Sequence, residues 1–114
     1  MTDYLNRYKK GSKTPHNRGG GSAPRPGDIW WVSNLDGVKD RPILILRVEG
    51  DTVTFRKCTS QASTVRSRDV IVEYEYAGLD RETYVDPEVR RGSKSKLVRK
   101  LGELSDYDRP SFGL

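Results

Sequence analysis

Pro26-Gly27-Asp28-Ile29-Trp30-Trp31-Val32, then Asp40-Arg41-Pro42-Ile43-Leu44-Ile45-Leu46, then Lys57-Cys58-Thr59-Ser60-Gln61 decide how this chain is read. The first block reads as a short strand. Side chains alternate across a strand, so Trp30 and Trp31 face opposite sides. One indole is expected in the core, and the other along a groove or a subunit interface. Ile43 to Leu46 is a continuous apolar run, the mark of a central strand buried on both faces. Glu49-Gly50-Asp51 reads as a hairpin turn. Beyond it Val53 and Phe55 alternate with Thr52, Thr54 and Arg56, giving a third strand that ends in the hydroxyl-rich block.

Working outward, Ser33 to Asp40 is a loop that carries the Asp36-Gly37 turn signal. Ala62 to Arg68 is a polar loop. Val70, Val72, Tyr74 and Tyr76 alternate with Ile71, Glu73 and Glu75, which predicts a half-buried strand. Tyr84 to Arg90 predicts another, with Pro87 marking an edge or a bulge. Ser93 is placed to cap a short helix whose apolar face is Leu97, Val98, Leu101 and Leu104, stopped by Gly102. The expected fold is mainly β (small α+β), a small closed or half-closed barrel of about five to six strands with one short C-terminal helix, in which an SH3-like barrel is one of two candidates. Pattern alone leaves an OB-fold equally open. The barrel domain is expected over 26–104, with an irregular tail over 105–114.

Residues 1–25 hold Gly19-Gly20-Gly21-Ser22 and no periodic apolar face, so they read as a disordered basic arm. The arm carries Arg7, Lys9, Lys10, Lys13, Arg18 and Arg25 against Asp3 alone, which accounts for the whole net charge of +5. The rest of the chain is formally neutral but segregated. An acidic stretch from Asp69 to Glu88 precedes Arg90, Arg91, Lys94, Lys96, Arg99 and Lys100, and such segregation steers a polyanion to one side of a fold. At 114 residues one domain is expected, with a core small enough that a subunit interface completes it. No apolar run is long enough to span a membrane, and the single cysteine makes no internal disulfide; both suit a cytoplasmic protein.

The chain offers little to catalyse with. There is no Gly-rich phosphate loop and no dinucleotide fingerprint. The only histidine, His16, sits in the arm, and no acidic cluster has metal-ligand spacing. Cys58 has no histidine near it in sequence and reads as a small buried hydrophobe. What remains suits RNA cleavage, because RNA carries its own nucleophile, the 2′-hydroxyl. A protein need only orient that group and neutralise the phosphate. Arg41, at the head of a buried strand, supplies a planar fork for two phosphate oxygens, and the Thr59 hydroxyl adds a hydrogen bond. The bland alternatives are an ion pair of Arg41 with Asp40, and turn-forming roles for Thr59 and Ser60.

The three blocks, in this order, resemble the MazF/PemK family of toxin endoribonucleases. The residues that carry the resemblance are Gly27-Asp28-Ile29-Trp30, Arg41-Pro42-Ile43-Leu44-Ile45 and Cys58-Thr59-Ser60-Gln61, within a match over roughly 26–104. It implies an SH3-like barrel that dimerises, cleaves single-stranded RNA such as mRNA, needs no metal or cofactor, and is neutralised by an antitoxin. Carried over, Arg41 and Thr59 are the catalytic pair at the scissile phosphate. Ser60, Gln61, Trp31 and Arg90 contact substrate, and Asp86 or Glu88 is the acid/base candidate. The chain departs from the family in three places. The loop Asn34-Leu35-Asp36-Gly37-Val38-Lys39 is shorter and less acidic, the late acid is displaced to Asp86 or replaced by Glu88, and the long C-terminal helix is absent or reduced. A second class of reading is a non-catalytic barrel that binds RNA through the arm, the basic stretch and a tryptophan, or a protein partner as gyrase-poison toxins do.

Overall fold

Ile43, Leu44 and Ile45 are fully buried, and the sheet is built around the strand that carries them. The computed structural model describes residues 23–33, 35, 38, 40–61 and 69–114. The expectations placed on 1–22, on most of the 33–40 loop and on 62–68 lie outside the described residues. Among the described residues there are seven strands: β1 (Asp28–Val32), β2 (Arg41–Glu49), β3 (Thr52–Thr59), β4 (Val70–Ile71), β5 (Thr83–Val85), β6 (Arg90–Ser93) and β7 (Leu97–Glu103). The expectation of a mainly β fold holds, with more and shorter strands than the five or six expected.

β2 lies between β1 and β3, all antiparallel. Gly50 takes a positive φ of 60° in the β2–β3 turn, the left-handed conformation that glycine adopts at least cost. Leu44 packs on one side of β2 with Ile29, Cys58 and Leu101. Ile43 and Ile45 pack on the other with Val32, Val53 and Phe55. β7 pairs with the outer side of β1, and β6 with β3. The chain passes from β6 to β7 through one 3₁₀ turn at Lys94–Lys96. Strands at opposite ends of the path β6-β3-β2-β1-β7 are thus joined by three residues, which curls the sheet into a small barrel.

The helix expected from Ser93 onward does not form. Ser93 does cap, its hydroxyl accepting from the Ser95 N–H at 3.2 Å, but what it caps is the 3₁₀ turn. Leu97 to Glu103 is strand β7, and pairing with β1 outweighs the helical spacing of its leucines. Gly102 is no helix stop. A Cβ there would run into the Ala77 backbone, and one on Gly78 into the Leu101 carbonyl. Both glycines let the turn over 72–78 lie directly on β7.

That turn also replaces most of the strand expected over Val70 to Tyr76, of which only Val70–Ile71 pairs. The buried Asp108 carboxylate accepts the backbone N–H groups of Val72 and Glu73 at 3.0 and 2.8 Å and bends the chain there. The segment read as an irregular tail therefore forms part of the packing. It carries a 3₁₀ turn at Arg109–Phe112, and Phe112 joins the core. The Arg56 guanidinium stacks 5.6 Å from the Phe112 ring centroid. It also donates to Asp69 Oδ2 at 2.7 Å and to the Asp86 carbonyl at 2.7 Å.

At the start of the barrel, Gly27 adopts φ 95° and donates to the Ile45 carbonyl at 2.7 Å. Asp28, 1% exposed, accepts from the Arg25 backbone N–H at 2.9 Å and the Trp30 indole at 3.2 Å. Its other oxygen lies 3.4 Å from the Lys100 ammonium. Among the described residues, no helix is long and apolar enough to cross a membrane.

Candidate active site

The β2–β3 ladder ends at Ile43↔Lys57, next to Pro42, which has no N–H to offer a ladder. Beyond that pair the two strands keep different company. β2 stays with β1 as far as Val32↔Arg41, while β3 runs on beside β5 to Thr59↔Tyr84. Continuing the β2–β3 register past its last pair sets Arg41 opposite Thr59. The gap between the parted strands is a cavity of about 320 Å³, lined in part by Trp31, Arg41, Pro42, Cys58, Thr59 and Gln61. Arg41 and Thr59, 18 positions apart in sequence, thus share one site because a hairpin folds them together.

The polar atoms of the site are poised for a ligand. Arg41 Nε is buried and has no hydrogen-bond partner. A buried donor without an acceptor is costly, so such atoms are rare outside sites that receive one. Thr59 Oγ1 accepts the Gln61 backbone N–H at 3.1 Å, which leaves its own O–H free to donate outward. Ser60 and Gln61 are exposed on the rim, and Trp31 is half-buried, packing its inner side against the core cluster of Leu44 and Cys58.

Cys58 lines the cavity but is inert as a nucleophile. Burial pushes its thiol up from 9.0 to about 12, against the opposing pull of the Arg56 and Arg41 guanidiniums. It acts as the small buried hydrophobe expected of it. Among the described residues, no three His, Cys, Asp or Glu side chains group as metal ligands.

Of the residues singled out in the sequence, Trp31, Arg41, Thr59, Ser60 and Gln61 meet in this cavity. Asp86, Glu88 and Arg90 are not among its lining. The Asp86 carboxylate lies 3.7 Å from Lys57 Nζ, and Glu88 pairs with Arg90 at 3.2 Å. Sequence reasoning missed Asp80, Arg81 and Thr83, which close the far wall. Asp80 and Arg81 read only as members of an acidic stretch. The available signal was their position just before β5, the strand that pairs with the end of β3.

No family model matches the chain, and no curated protein matches it. Among solved structures, the fold is similar to that of an endoribonuclease in complex with its cognate antitoxin from a mycobacterial species. The TM-score is 0.60 at 16% sequence identity, over 81% of this chain and 87% of that one. At that identity the likeness is one of fold, and the residues of the cavity stand on their own geometry.

Proposed function

We propose that this chain is an endoribonuclease of the toxin class that cleaves single-stranded RNA without a metal. The observation that carries the reading is the buried, unpartnered Nε of Arg41 in one cavity with the free-donating hydroxyl of Thr59. The MazF/PemK-like blocks and the fold shared with an antitoxin-bound endoribonuclease support it. In this reading the Arg41 guanidinium holds the non-bridging oxygens of the scissile phosphate and offsets the charge that builds on them. Thr59 donates a further hydrogen bond. The 2′-oxygen bonds to phosphorus and the bond to the 5′-oxygen breaks, leaving a 2′,3′-cyclic phosphate and a 5′-hydroxyl. The 2′-hydroxyl loses one proton and the leaving oxygen gains one, so none is consumed overall. Ser60, Gln61 and Trp31 hold the flanking nucleotides.

The same reading includes a homodimer and a cognate antitoxin. An acidic, partly disordered peptide that follows the RNA path fits a cavity headed by an arginine.

The test is incubation of purified protein with a long single-stranded RNA in EDTA, with Arg41→Ala alongside. Wild-type protein yields discrete fragments with 2′,3′-cyclic phosphate ends. Arg41→Ala loses on the order of a hundredfold or more in rate while keeping its melting temperature. Normal cleavage by Arg41→Ala removes Arg41 from the site. No cleavage by folded wild-type protein leaves the non-catalytic binding module as the reading.

A further inference from the structure

Three buried side-chain atoms among the described residues lack a hydrogen-bond partner: Arg41 Nε, Asp80 Oδ1 and Arg90 Nε. Two of them, a donor on Arg41 and an acceptor on Asp80, belong to residues that line the same cavity. The Asp80 side chain is only 10% exposed. Its Oδ1 is ion-paired with Arg81 Nε at 3.5 Å but makes no hydrogen bond to it. A buried carboxylate oxygen is held without a hydrogen-bond donor only at a cost, and this one belongs to a residue that lines the ligand space. A carboxylate near a bound phosphate also repels it. It is compatible with a polyanionic ligand only where that ligand brings an N–H or O–H donor to it.

We propose that Asp80 is a specificity-determining residue that accepts a hydrogen bond from the amino group of a nucleobase whose phosphate rests on Arg41. The proposal takes the phosphate position from the ribonuclease reading above. The cavity, at about 320 Å³, lies at the small end of ligand sites and suits a single nucleotide. Trp31 in its lining supplies a ring on which a base can stack. An ionised carboxylate only accepts, so it selects for base edges that present N–H. Adenine, cytosine and guanine each carry an exocyclic amino group with two such hydrogens. The single N–H on the uracil edge is flanked on both sides by carbonyl oxygens, which a carboxylate repels. The Arg81 guanidinium, next to Asp80, donates to the acceptor that adjoins an amino group on the same base edge. Asp80 and Arg81 together therefore read a donor beside an acceptor and disfavour uracil.

The test uses four labelled 2′-O-methyl homo-tetranucleotides of A, C, G and U, which lack the free 2′-hydroxyl and cannot be cleaved. Binding is followed by fluorescence anisotropy for wild type, Asp80→Ala and Asp80→Asn, each with its melting curve. Wild type binds at least one amino-bearing oligonucleotide on the order of fivefold or more tighter than the uridine one. Asp80→Ala loses that preference, and Asp80→Asn, which keeps one acceptor oxygen and the shape, retains part of it. A preference unchanged in both folded variants, a wild-type preference for uridine, or no oligonucleotide binding overturns the proposal. Selective binding by a wild type that fails to cleave RNA overturns the ribonuclease reading and leaves Asp80 in its role. Unaltered cleavage-site preference in Asp80→Ala does the reverse.

Discussion

Replacing Asp28 by alanine tests what anchors the first strand. The carboxylate is almost fully buried, and so is its partner Lys100, whose side chain is 8% exposed. Asp28→Ala deletes the acceptor of the Arg25 N–H, the acceptor of the Trp30 indole and the close counter-charge of Lys100 together. Among the described residues the ammonium keeps only Glu103 as an ion-pair partner, at 3.8 Å. Removing one partner of a buried ion pair costs about 3–5 kcal/mol, chiefly because the other charge is left without compensation. A domain of this size is stabilised by roughly 5–15 kcal/mol in total. Each kcal/mol moves the melting temperature of such a domain by roughly 4–8 °C, so the variant should melt about 12–40 °C lower. The assay is a urea or thermal melt of wild type, Asp28→Ala, Lys100→Met and the double variant, with the fluorescence of Trp30 and Trp31 as one probe. If stranded charge is the main cost, the double variant recovers part of what Asp28→Ala loses. An Asp28→Ala melt within about 1 kcal/mol of wild type would refute the reasoning, as would a double variant no more stable than Asp28→Ala.

Two further outcomes follow from single positions. Folding holds the Cys58 proton more tightly than the unfolded chain does, so its contribution is complete below about pH 9 and is lost as pH climbs towards 12. At pH 10 the loss is on the order of 1 kcal/mol; between pH 8 and 10 wild type should lose that much more stability than Cys58→Ala, and parallel pH profiles would contradict it. Gly78→Ala forces a φ of 85° on alanine and drives its Cβ into the Leu101 carbonyl. It should cost about 2 kcal/mol or more, whereas Gly50→Ala, with φ 60° and open space around it, should cost about 1 kcal/mol; equal melting temperatures for the two would show that the turn over 72–78 does not press on β7.

The three strands most legible in the sequence each pair with a sequence neighbour. β1, β2 and β3 carry plain apolar patterns, and the Gly50 hairpin fixes a register from which the meeting of Arg41 and Thr59 follows. β7 was hidden because its pairing with β1 is irregular. Register shifts fall between Ile29 and Trp30 and between Trp31 and Val32. The buried and exposed residues of Leu97–Glu103 therefore do not alternate, and the leucine spacing imitates a helix. Val98, which the leucine spacing places on an apolar face, is 57% exposed. The bend after Ile71 depends on Asp108, 36 positions away from Val72, which no local pattern records. Asp80 was invisible for a related reason. Its significance lies in a cavity whose other wall is built from β2 and β3, and nothing in its own stretch of acidic residues announces that.

The parting of β2 and β3 beyond Ile43 and Lys57 bears on the kinetics of the site. Each strand is still held by an outer partner where they separate, β2 by β1 and β3 by β5. The mouth between them is therefore set by strand pairing, and the backbone at Arg41 and Thr59 is ordered once the barrel has folded. A ligand entering there has little main-chain entropy to remove from these strands. Capture at Arg41 and Thr59 is then governed by encounter and desolvation, and differences among ligands emerge in how slowly they leave.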